Sequence, residues 1–369
     1  MSKFGVVARG IKLPMIKQGD DVSNIVVENI EEALAEENLK LKNKDIIAIT
    51  ESIVARANGN YVSVDDIRDD IVDKFGKNCE VILLYPIYSR NRFSLILKGI
   101  ARASSKIHLF INNGKDEVGN DIVNPFTSVD IEKFYKELIT SENCECLIYK
   151  NELEYINALT CTKNIIHCQC HVTDKIKKHY HIPNAKIYTL ADICNIKSDK
   201  HGYNEEYGVL GSNKATEESL KLFPTYENCK IVCDDVQKVF KDRYGVDIEV
   251  MVYGDGCFKD PVGGIWEFAD PVTTPYYTSG LEGTPNEIKI KYLIDNELSE
   301  FEGVELNEVV KDKIKNKLYN LVGSMASQGT TPRRYIDLLA SLSDLVTGSG
   351  DRATPVVWIQ NYWNNYGND

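Results

Sequence analysis

Near its end the chain reads TPRRYIDLLASLSDLVTGSGDRATPVVWI, residues 331–359. The hydroxyl of Thr331 can cap a helix and Pro332 suits its first turn. The apolar residues of this helix recur at helical spacing and are expected to face the core: Ile336, Leu339, Leu342 and Leu345. The helix should stop at Gly348, and Val356 to Ile359 should form a buried closing strand.

Composition and charge exclude several classes of protein. The 369 residues are 43% hydrophobic and 27% charged, enough for a substantial core. With 43 Lys and Arg against 55 Asp and Glu, the net charge of -12 argues against a nucleic-acid or anionic-membrane binder. Because we find no apolar run typical of a signal peptide or membrane span, we expect a cytoplasmic protein. Ten cysteines are too dilute for a disulfide scaffold.

Short apolar runs alternate with helical patterns along the chain. The predicted strands are Phe4 to Ala8, Asp45 to Thr50, Val81 to Leu84, Lys106 to Ile111 and Asp247 to Tyr253. The predicted helices are Val22 to Glu37, Phe93 to Ala103, Ser128 to Thr140, Glu217 to Leu222 and Asn307 to Leu321. Between Ser128 and Asp242 the chain is rich in Lys, Asn, Cys and His. We therefore divide it into 1–127, a middle elaboration at 128–242, and 243–369.

Three segments together resemble the coenzyme F420-0:L-glutamate ligase family. They are RGIKLPMIKQGDD at Arg9 to Asp21, ITESIVARANG at Ile49 to Gly59, and the stretch from Pro332 to Ile359. The resemblance implies an α+β fold, in which the N- and C-terminal segments form one mixed α/β domain beside an additional α/β middle region. It also implies a homodimer that uses GTP and a divalent metal to form a γ-glutamyl amide bond.

Motifs that bind phosphate by themselves are missing from the sequence. Neither GxxxxGK[ST] nor a strand followed by GxGxxG occurs, so a P-loop or Rossmann dinucleotide site has no direct support. What remains are Gly-rich or acidic loops after apolar strands, where amides and carboxylates can meet a phosphate and its metal.

Two of these loops resemble the family's metal-binding segments. In IHLFINNGKDEVGN, Asp116 matches a metal ligand, and Asn120 matches a nucleotide contact if one residue is inserted. In VMVYGDGCFKDP, Asp255 matches a second metal ligand, although Gly256 stands where the family has Thr. Carboxylate ligands suit Mg²⁺ or Mn²⁺. Without the resemblance, two loop aspartates would be read as turn formers.

The resemblance also assigns nucleotide contacts. They are Leu13, Pro14, Met15 and Ile16; Glu51, Ser52 and Arg56; and Thr347, Gly348, Ser349, Gly350 and Asp351. The last group is equally well explained as a glycine helix end followed by a turn. The family has Ser and Lys at the positions of Glu51 and Ser52, and Lys at that of Arg56. Three arginines are candidates to replace the lysine missing at position 52: Arg9, Arg90 and Arg92.

A second set of candidate ligands lies in the middle region. It comprises Cys144, Cys146, Cys161, His167, Cys168, Cys170 and His171. Thiolates and imidazoles suit Zn²⁺, but this spacing is not that of a CxxC site, and buried thiols explain it better.

The leading hypothesis is a ligase that joins a small carboxylate acceptor to L-glutamate through an acyl phosphate, with GTP as the co-substrate. Two alternatives stay open: the same chemistry on another acceptor, or a non-catalytic nucleotide- or metal-binding protein on the same scaffold. The sequence names no catalytic nucleophile.

Overall fold

The structure is a computed structural model. It describes residues 4–111, 130–169, 173–180, 182–254, 257–259, 266–268, 274–317, 321, 334–347 and 353–368. None of the helices in these ranges is long and apolar enough to cross a membrane.

A mixed five-stranded sheet brings the two ends of the chain together. Its strands are, in spatial order, β1 (Val7–Ile11), β15 (Val356–Gln360), β2 (Ile46–Thr50), β11 (Glu249–Tyr253) and β14 (Tyr276–Tyr277). Only the central pair, β2 and β11, is parallel; the other neighbours are antiparallel. All five residues of β2 and of β15 are buried, as expected for strands covered on both faces.

Helices cover both faces of this mixed sheet. On one face lie α1 (Val22–Glu36), α2 (Glu51–Ala57) and α8 (Tyr226–Tyr244), and on the other lies α11 (Tyr335–Thr347). Since successive side chains of a strand point to opposite faces, neighbouring residues of β2 enter different cores. Ile47 packs with α1 and α8, whereas Ile46 packs with α11. The result is a three-layer α/β/α unit.

A second five-stranded sheet is entirely parallel. Its strands are, in spatial order, β6 (Glu145–Tyr149), β5 (Ser104–Phe110), β4 (Cys79–Leu84), β7 (Asn164–His167) and β8 (Lys186–Thr189). One face is covered by α4 (Arg92–Ala103) and α5 (Ile131–Ser141), the other by α6 (Glu152–Cys161) and α7 (Thr173–Tyr180). Along the chain, β5 and β6 are added on one side of β4, and β7 and β8 are then added on its other side. Right-handed crossovers place the later helices on the opposite face, which gives a doubly wound sheet.

A small antiparallel sheet connects the two large ones. It consists of β3 (Tyr61–Ser63), β10 (Ser219–Leu222) and β9 (Ser212–Lys214), with α3 (Val64–Phe75) following β3. The remaining elements are β12 (Cys257–Lys259), β13 (Trp266–Phe268), α9 (Ile290–Asn296) and α10 (Gly303–Lys315). Apolar residues of β10 enter the core beneath α3 and α4, so the small sheet is fixed to the doubly wound sheet.

The α+β fold class is confirmed, and most predicted elements occur within a few residues of their predicted bounds. Three predictions were wrong. The first strand is Val7–Ile11 instead of Phe4 to Ala8, because it is Val7 to Ile11 that pair with β15. The stretch Glu217 to Leu222 is not a helix: Ser219–Leu222 is a strand, with Leu220 and Leu222 buried on one face. Leu345 does not face the core, since it is 80% exposed.

The predicted division at 127 and 128 does not coincide with a boundary between sheets, since β4 and β5 share the parallel sheet with β6, β7 and β8. The three-segment division itself stays a prediction. Predicted features that lie outside the described residues include the helix start at Thr331 and Pro332.

Candidate functional site

The candidate site lies at the carboxyl ends of the parallel strands β2 and β11. Thr50 and Tyr253, the last residues of the two strands, are paired in the sheet. The chain continues from Thr50 directly into α2, so the segment ITESIVARANG comprises the end of a strand followed by a helix. The carboxyl ends of parallel strands are where open α/β sheets usually bind ligands. The structure therefore puts Ser52, in the first turn of α2, in a position suited to ligand binding, whereas the side chain of Glu51 beside it is buried.

A lysine from another part of the chain reaches the first turn of α2. Lys221, on β10, donates a hydrogen bond through Nζ to Oγ of Ser52. Its Nζ also lies 3.9 Å from Oε2 of Glu51, and the two side chains are 14% and 0% exposed. Nδ2 of Asn213, on β9, donates to Oε1 of Glu51 at 2.8 Å. A buried carboxylate is thus held by one cation and one amide.

The alternating directions of the side chains along β10 explain how Lys221 reaches this position. Leu220 and Leu222 point into the core beneath α3 and α4, so Lys221 between them points to the other face. Lys221 is paired with Tyr61 of β3, a few residues after the end of α2. The short connection from α2 to β3 therefore brings the small sheet against the first turn of α2.

The loop Leu13 to Ile16 lies beside the same helix. Nε of Arg56, an exposed residue of α2, donates to the carbonyl of Ile16 at 2.5 Å. Leu13 and Ile16 are buried in the core with α1 and α8, whereas Pro14 and Met15 are exposed, Met15 by 77%. Of these four predicted contacts, Pro14 and Met15 are thus the two whose side chains are accessible to a ligand.

The end of α11 closes the site from the other side of the sheet. Oγ1 of Thr347 donates to the carbonyl of Ser343 at 2.7 Å and shares a hydrogen bond with the hydroxyl of Tyr253. The backbone after α11 is fixed to the first loop, because the N–H of Leu13 donates to the carbonyl of Ala353 at 3.0 Å. The Thr347 hydroxyl thus takes part in bonds that hold the helix end to β11.

The other predicted site residues fall outside the described part of the chain. These are Asp116, Asn120, Gly348, Ser349, Gly350, Asp351 and Asp255. Their roles as metal ligands or nucleotide contacts stay predictions.

Two of the three arginines considered as replacements for a lysine at position 52 support the fold. Arg92 is buried and donates through NH1 to the carbonyls of Leu210 and Ser212 at 2.6 and 3.3 Å. Arg9 donates to Oε1 of Gln360 and lies over a tryptophan ring. The cation that contacts Ser52 is instead Lys221, which sequence analysis missed. The signal that could have found it is the polar and apolar alternation of Ser219 to Leu222, a period-two pattern typical of a strand.

The cysteines of the middle region that the structure describes are mostly core residues. Cys144, Cys146 and Cys168 are buried. Burial raises the pKa of the Cys144 thiol to about 12 and that of Cys146 to about 11, so both stay protonated at neutral pH. Cys161 differs because it is exposed. Cys170 and His171 lie outside the described residues.

Comparison with known proteins finds a matching family and similar relatives. The family model described as F420-0:Gamma-glutamyl ligase matches residues 10–361. The chain belongs to this family. Similar relatives include two proteins named coenzyme F420:L-glutamate ligase. The one from Methanothermobacter thermautotrophicus is 31% identical over 85 residues, 21% of this chain and 32% of that protein. The one from Methanosarcina acetivorans is 30% identical over 112 residues, 29% of this chain and 40% of that protein.

Each of these alignments spans well under half of the relative. Membership of the family therefore rests on the family model, which extends across the first loop, both large sheets and the closing strand β15.

Proposed function

We propose that this protein is a nucleotide-dependent ligase that forms an amide bond between a carboxylate acceptor and L-glutamate, with F420-0 as the first acceptor to test. The observation that carries the proposal is the family match over residues 10–361. The gathering of Lys221, Arg56 and the Leu13 to Ile16 loop at the carboxyl ends of β2 and β11 supports it.

The proposed reaction has two steps. A carboxylate oxygen of the acceptor attacks the γ-phosphorus of GTP, the bond to the bridging oxygen breaks, and GDP leaves. The amine of L-glutamate then attacks the acyl carbon, phosphate leaves, and the nitrogen loses a proton. Phosphorylation turns a poor leaving oxygen into a good one, and cations stabilise the charge that is transferred.

Two cations of the described chain are suited to the phosphates. Lys221 offers a compact ammonium group on a flexible stem, and the exposed Arg56 offers a planar guanidinium whose Nε is held by Ile16. The exposed Met15 can cover an apolar part of the nucleotide. We keep Asp116 and Asp255 as the proposed ligands of Mg²⁺ or Mn²⁺, which when bound would offset phosphate charge.

The experiment measures γ-glutamyl product and nucleoside diphosphate together. GTP or ATP is combined with Mg²⁺ or Mn²⁺, L-glutamate and F420-0, and the full chain is compared with Asp255→Ala and Lys221→Met. Lys214→Met is the matched control, because Lys214 lies on the neighbouring strand β9 and pairs with the exposed Glu217. We expect glutamate-dependent product from the full chain and the control, and a large loss in the other two variants.

The alternatives give different results. Nucleotide binding without consumption of F420-0 would point to another acceptor if a different carboxylate supports turnover, and to a non-catalytic binder if none does. Failure to bind any nucleotide would refute the proposed site. A homodimer and a cytoplasmic location remain proposals, which sedimentation and cell fractionation would test.

A further inference from the structure

Three potential metal ligands meet on the doubly wound sheet, away from the candidate ligase site. Glu80 lies on β4, His108 on β5, and Cys161 is the last residue of α6. One donor atom from each residue lies within 4.8 Å of the other two. The three residues are brought together by three separate elements, which no sequence spacing would have shown.

The topology of the sheet explains the convergence. In the parallel pairing of β4 with β5, Ile82 lies opposite His108, and Glu80 points to the same face as Ile82. Helix α6 covers this face. Immediately after Cys161 the chain is fixed to β4, since Oγ1 of Thr162 donates to the carbonyl of Glu80 at 2.8 Å. The Thr162 hydrogen bond therefore keeps the Cys161 thiol close to the Glu80 carboxylate.

The hydrogen bonds of His108 favour a metal ligand over a catalytic base. Its side chain is 1% exposed, Nε2 lies 2.7 Å from Oε1 of Glu80, and Nδ1 lies 2.8 Å from the hydroxyl of Tyr149. A Cys–His–acid triad needs one ring nitrogen against the thiol, and both nitrogens here already have partners. In a metal centre, by contrast, one nitrogen is held by an outer group while the other faces the ligands. Tyr149 and Glu80 provide that arrangement.

We propose that Glu80, His108 and Cys161 form a zinc-binding site. Thiolate, imidazole and carboxylate together suit Zn²⁺ better than Mg²⁺ or Mn²⁺, which prefer oxygen ligands alone. Bond lengths of about 2.0–2.3 Å to a tetrahedral ion put its donors roughly 3.3–3.8 Å apart. We expect side-chain rotations at the exposed Cys161 and the partly exposed Glu80 to bring the donors to this spacing. Water completes the fourth position, and the thiol proton is released on binding.

One neighbouring charge opposes the ion and offers a test of its own. Nζ of Lys106 lies 4.0 Å from Oε1 of Glu80, although its closer partner is Glu145 at 3.2 Å. Because a cation near bound Zn²⁺ weakens binding, Lys106→Gln should bind zinc several-fold more tightly than the unmodified chain. If Glu80 only forms an ion pair with Lys106 and binds no metal, Lys106→Gln should not increase the affinity for zinc.

The first experiment uses the full chain and inorganic zinc. The metal-free protein is treated with iodoacetamide with and without Zn²⁺, and alkylation of each cysteine is measured by peptide mass spectrometry. Cys161 is exposed, whereas seven other cysteines are buried: Cys79, Cys144, Cys146, Cys168, Cys194, Cys229 and Cys233. We expect Zn²⁺ to slow alkylation of Cys161 at least tenfold.

Variants and a second metal then separate this site from other thiols. Cobalt should give a thiolate charge-transfer band that Cys161→Ser abolishes and His201→Gln retains, since His201 lies elsewhere and contacts Gly202. Tyr149→Phe should weaken zinc binding by about 10–100-fold, as expected for a group that orients a ligand. Equal alkylation of Cys161 with and without Zn²⁺ would overturn the proposal. So would a cobalt band unchanged in Cys161→Ser, which alters an exposed side chain and should not prevent folding.

Discussion

Removal of the Lys221 ammonium should weaken both the fold and the proposed nucleotide site, and a paired variant can separate the two effects. Nζ of Lys221 lies 3.9 Å from Oε2 of Glu51, whose side chain is fully buried. With an effective dielectric constant of about 20, Coulomb's law gives roughly 4 kcal/mol for two unit charges at this distance. Since Asn213 still donates to Oε1, and Lys221 keeps some contact with water, we expect Lys221→Met to lower the free energy of unfolding by about 2 kcal/mol.

The partner variant removes the charge that Lys221→Met leaves behind. In Glu51→Gln/Lys221→Met no buried carboxylate remains without its cation, so most of the lost stability should return. Urea unfolding of the unmodified chain, both single variants and the double variant gives the coupling energy of the pair. A coupling energy below about 0.5 kcal/mol would refute the argument that the two charges support each other.

Nucleotide affinity should follow a different pattern in the same four proteins. A hydrogen bond to a charged group contributes about 1.5–3 kcal/mol, so loss of the ammonium should weaken nucleotide binding by roughly 10–150-fold. Because Glu51→Gln restores the fold but not the cation, the double variant should remain as weak as Lys221→Met. Calorimetry with GTP and ATP measures this, and recovery of affinity in the double variant would show that Lys221 acts only through stability.

Three further predictions concern packing and titration. Gly99→Ala should cost about 1–3 kcal/mol of unfolding free energy, because its Cβ would lie 2.6 Å from Cγ2 of Ile67. The loss that Gly99→Ala causes, measured by urea unfolding, should be smaller in an Ile67→Ala background than in the unmodified chain. Burial lowers the pKa of His167 from 6.5 to about 4, so the unfolded chain binds the extra proton and stability should fall as pH drops from 6.5 to 4. His167→Phe should remove roughly 2 kcal/mol of this fall, after allowance for partial exposure, and an unchanged pH profile would contradict it. Burial raises the pKa of Asp45 from 3.8, so the folded chain keeps a proton that the unfolded chain has lost, and stability should fall as pH rises from 3.8 through the raised pKa. Asp45→Asn should remove this fall, which urea midpoints measured against pH would show, and an unchanged pH dependence would contradict it.

The sequence predicts best those elements whose pattern is set by the protein's own core. Val356 to Ile359 were predicted as a buried strand and form most of β15, because a continuous apolar run suits a strand covered on both faces. The helix from Val22 was likewise predicted almost to the residue, and it begins where Asp21 accepts a hydrogen bond from the N–H of Asn24. Local patterning and capping were sufficient in both cases.

Tertiary pairing decided the elements that were predicted wrongly. Glu217 to Leu222 contains residues that favour helices, but Leu220 pairs with both Val62 and Lys214, so the strand is fixed by neighbours distant in sequence. Lys221 was missed for the same reason, because only a strand places its side chain on the face opposite Leu220 and Leu222 and so toward α2. Glu80 and His108 were missed for a related reason: they become neighbours only through the parallel pairing of β4 with β5.

The two proposed sites should act independently, because they lie on different sheets. The ligase site is at the carboxyl ends of β2 and β11, and the zinc site is on the face of the doubly wound sheet that α6 covers. Val81 and Leu83 of β4 pack in the same core as Leu220 of the Lys221 strand, whereas Ile82, on the same face as Glu80, packs in the core beneath α6 and α7. A zinc ion would therefore fix α6 to β4 and β5 without touching the groups proposed for the nucleotide. Removal of zinc should lower the thermal midpoint by mass action while leaving the GTP affinity within about twofold. Calorimetry on the zinc-free and zinc-bound protein measures both quantities, and a large change in GTP affinity would show that the sheet couples the two sites.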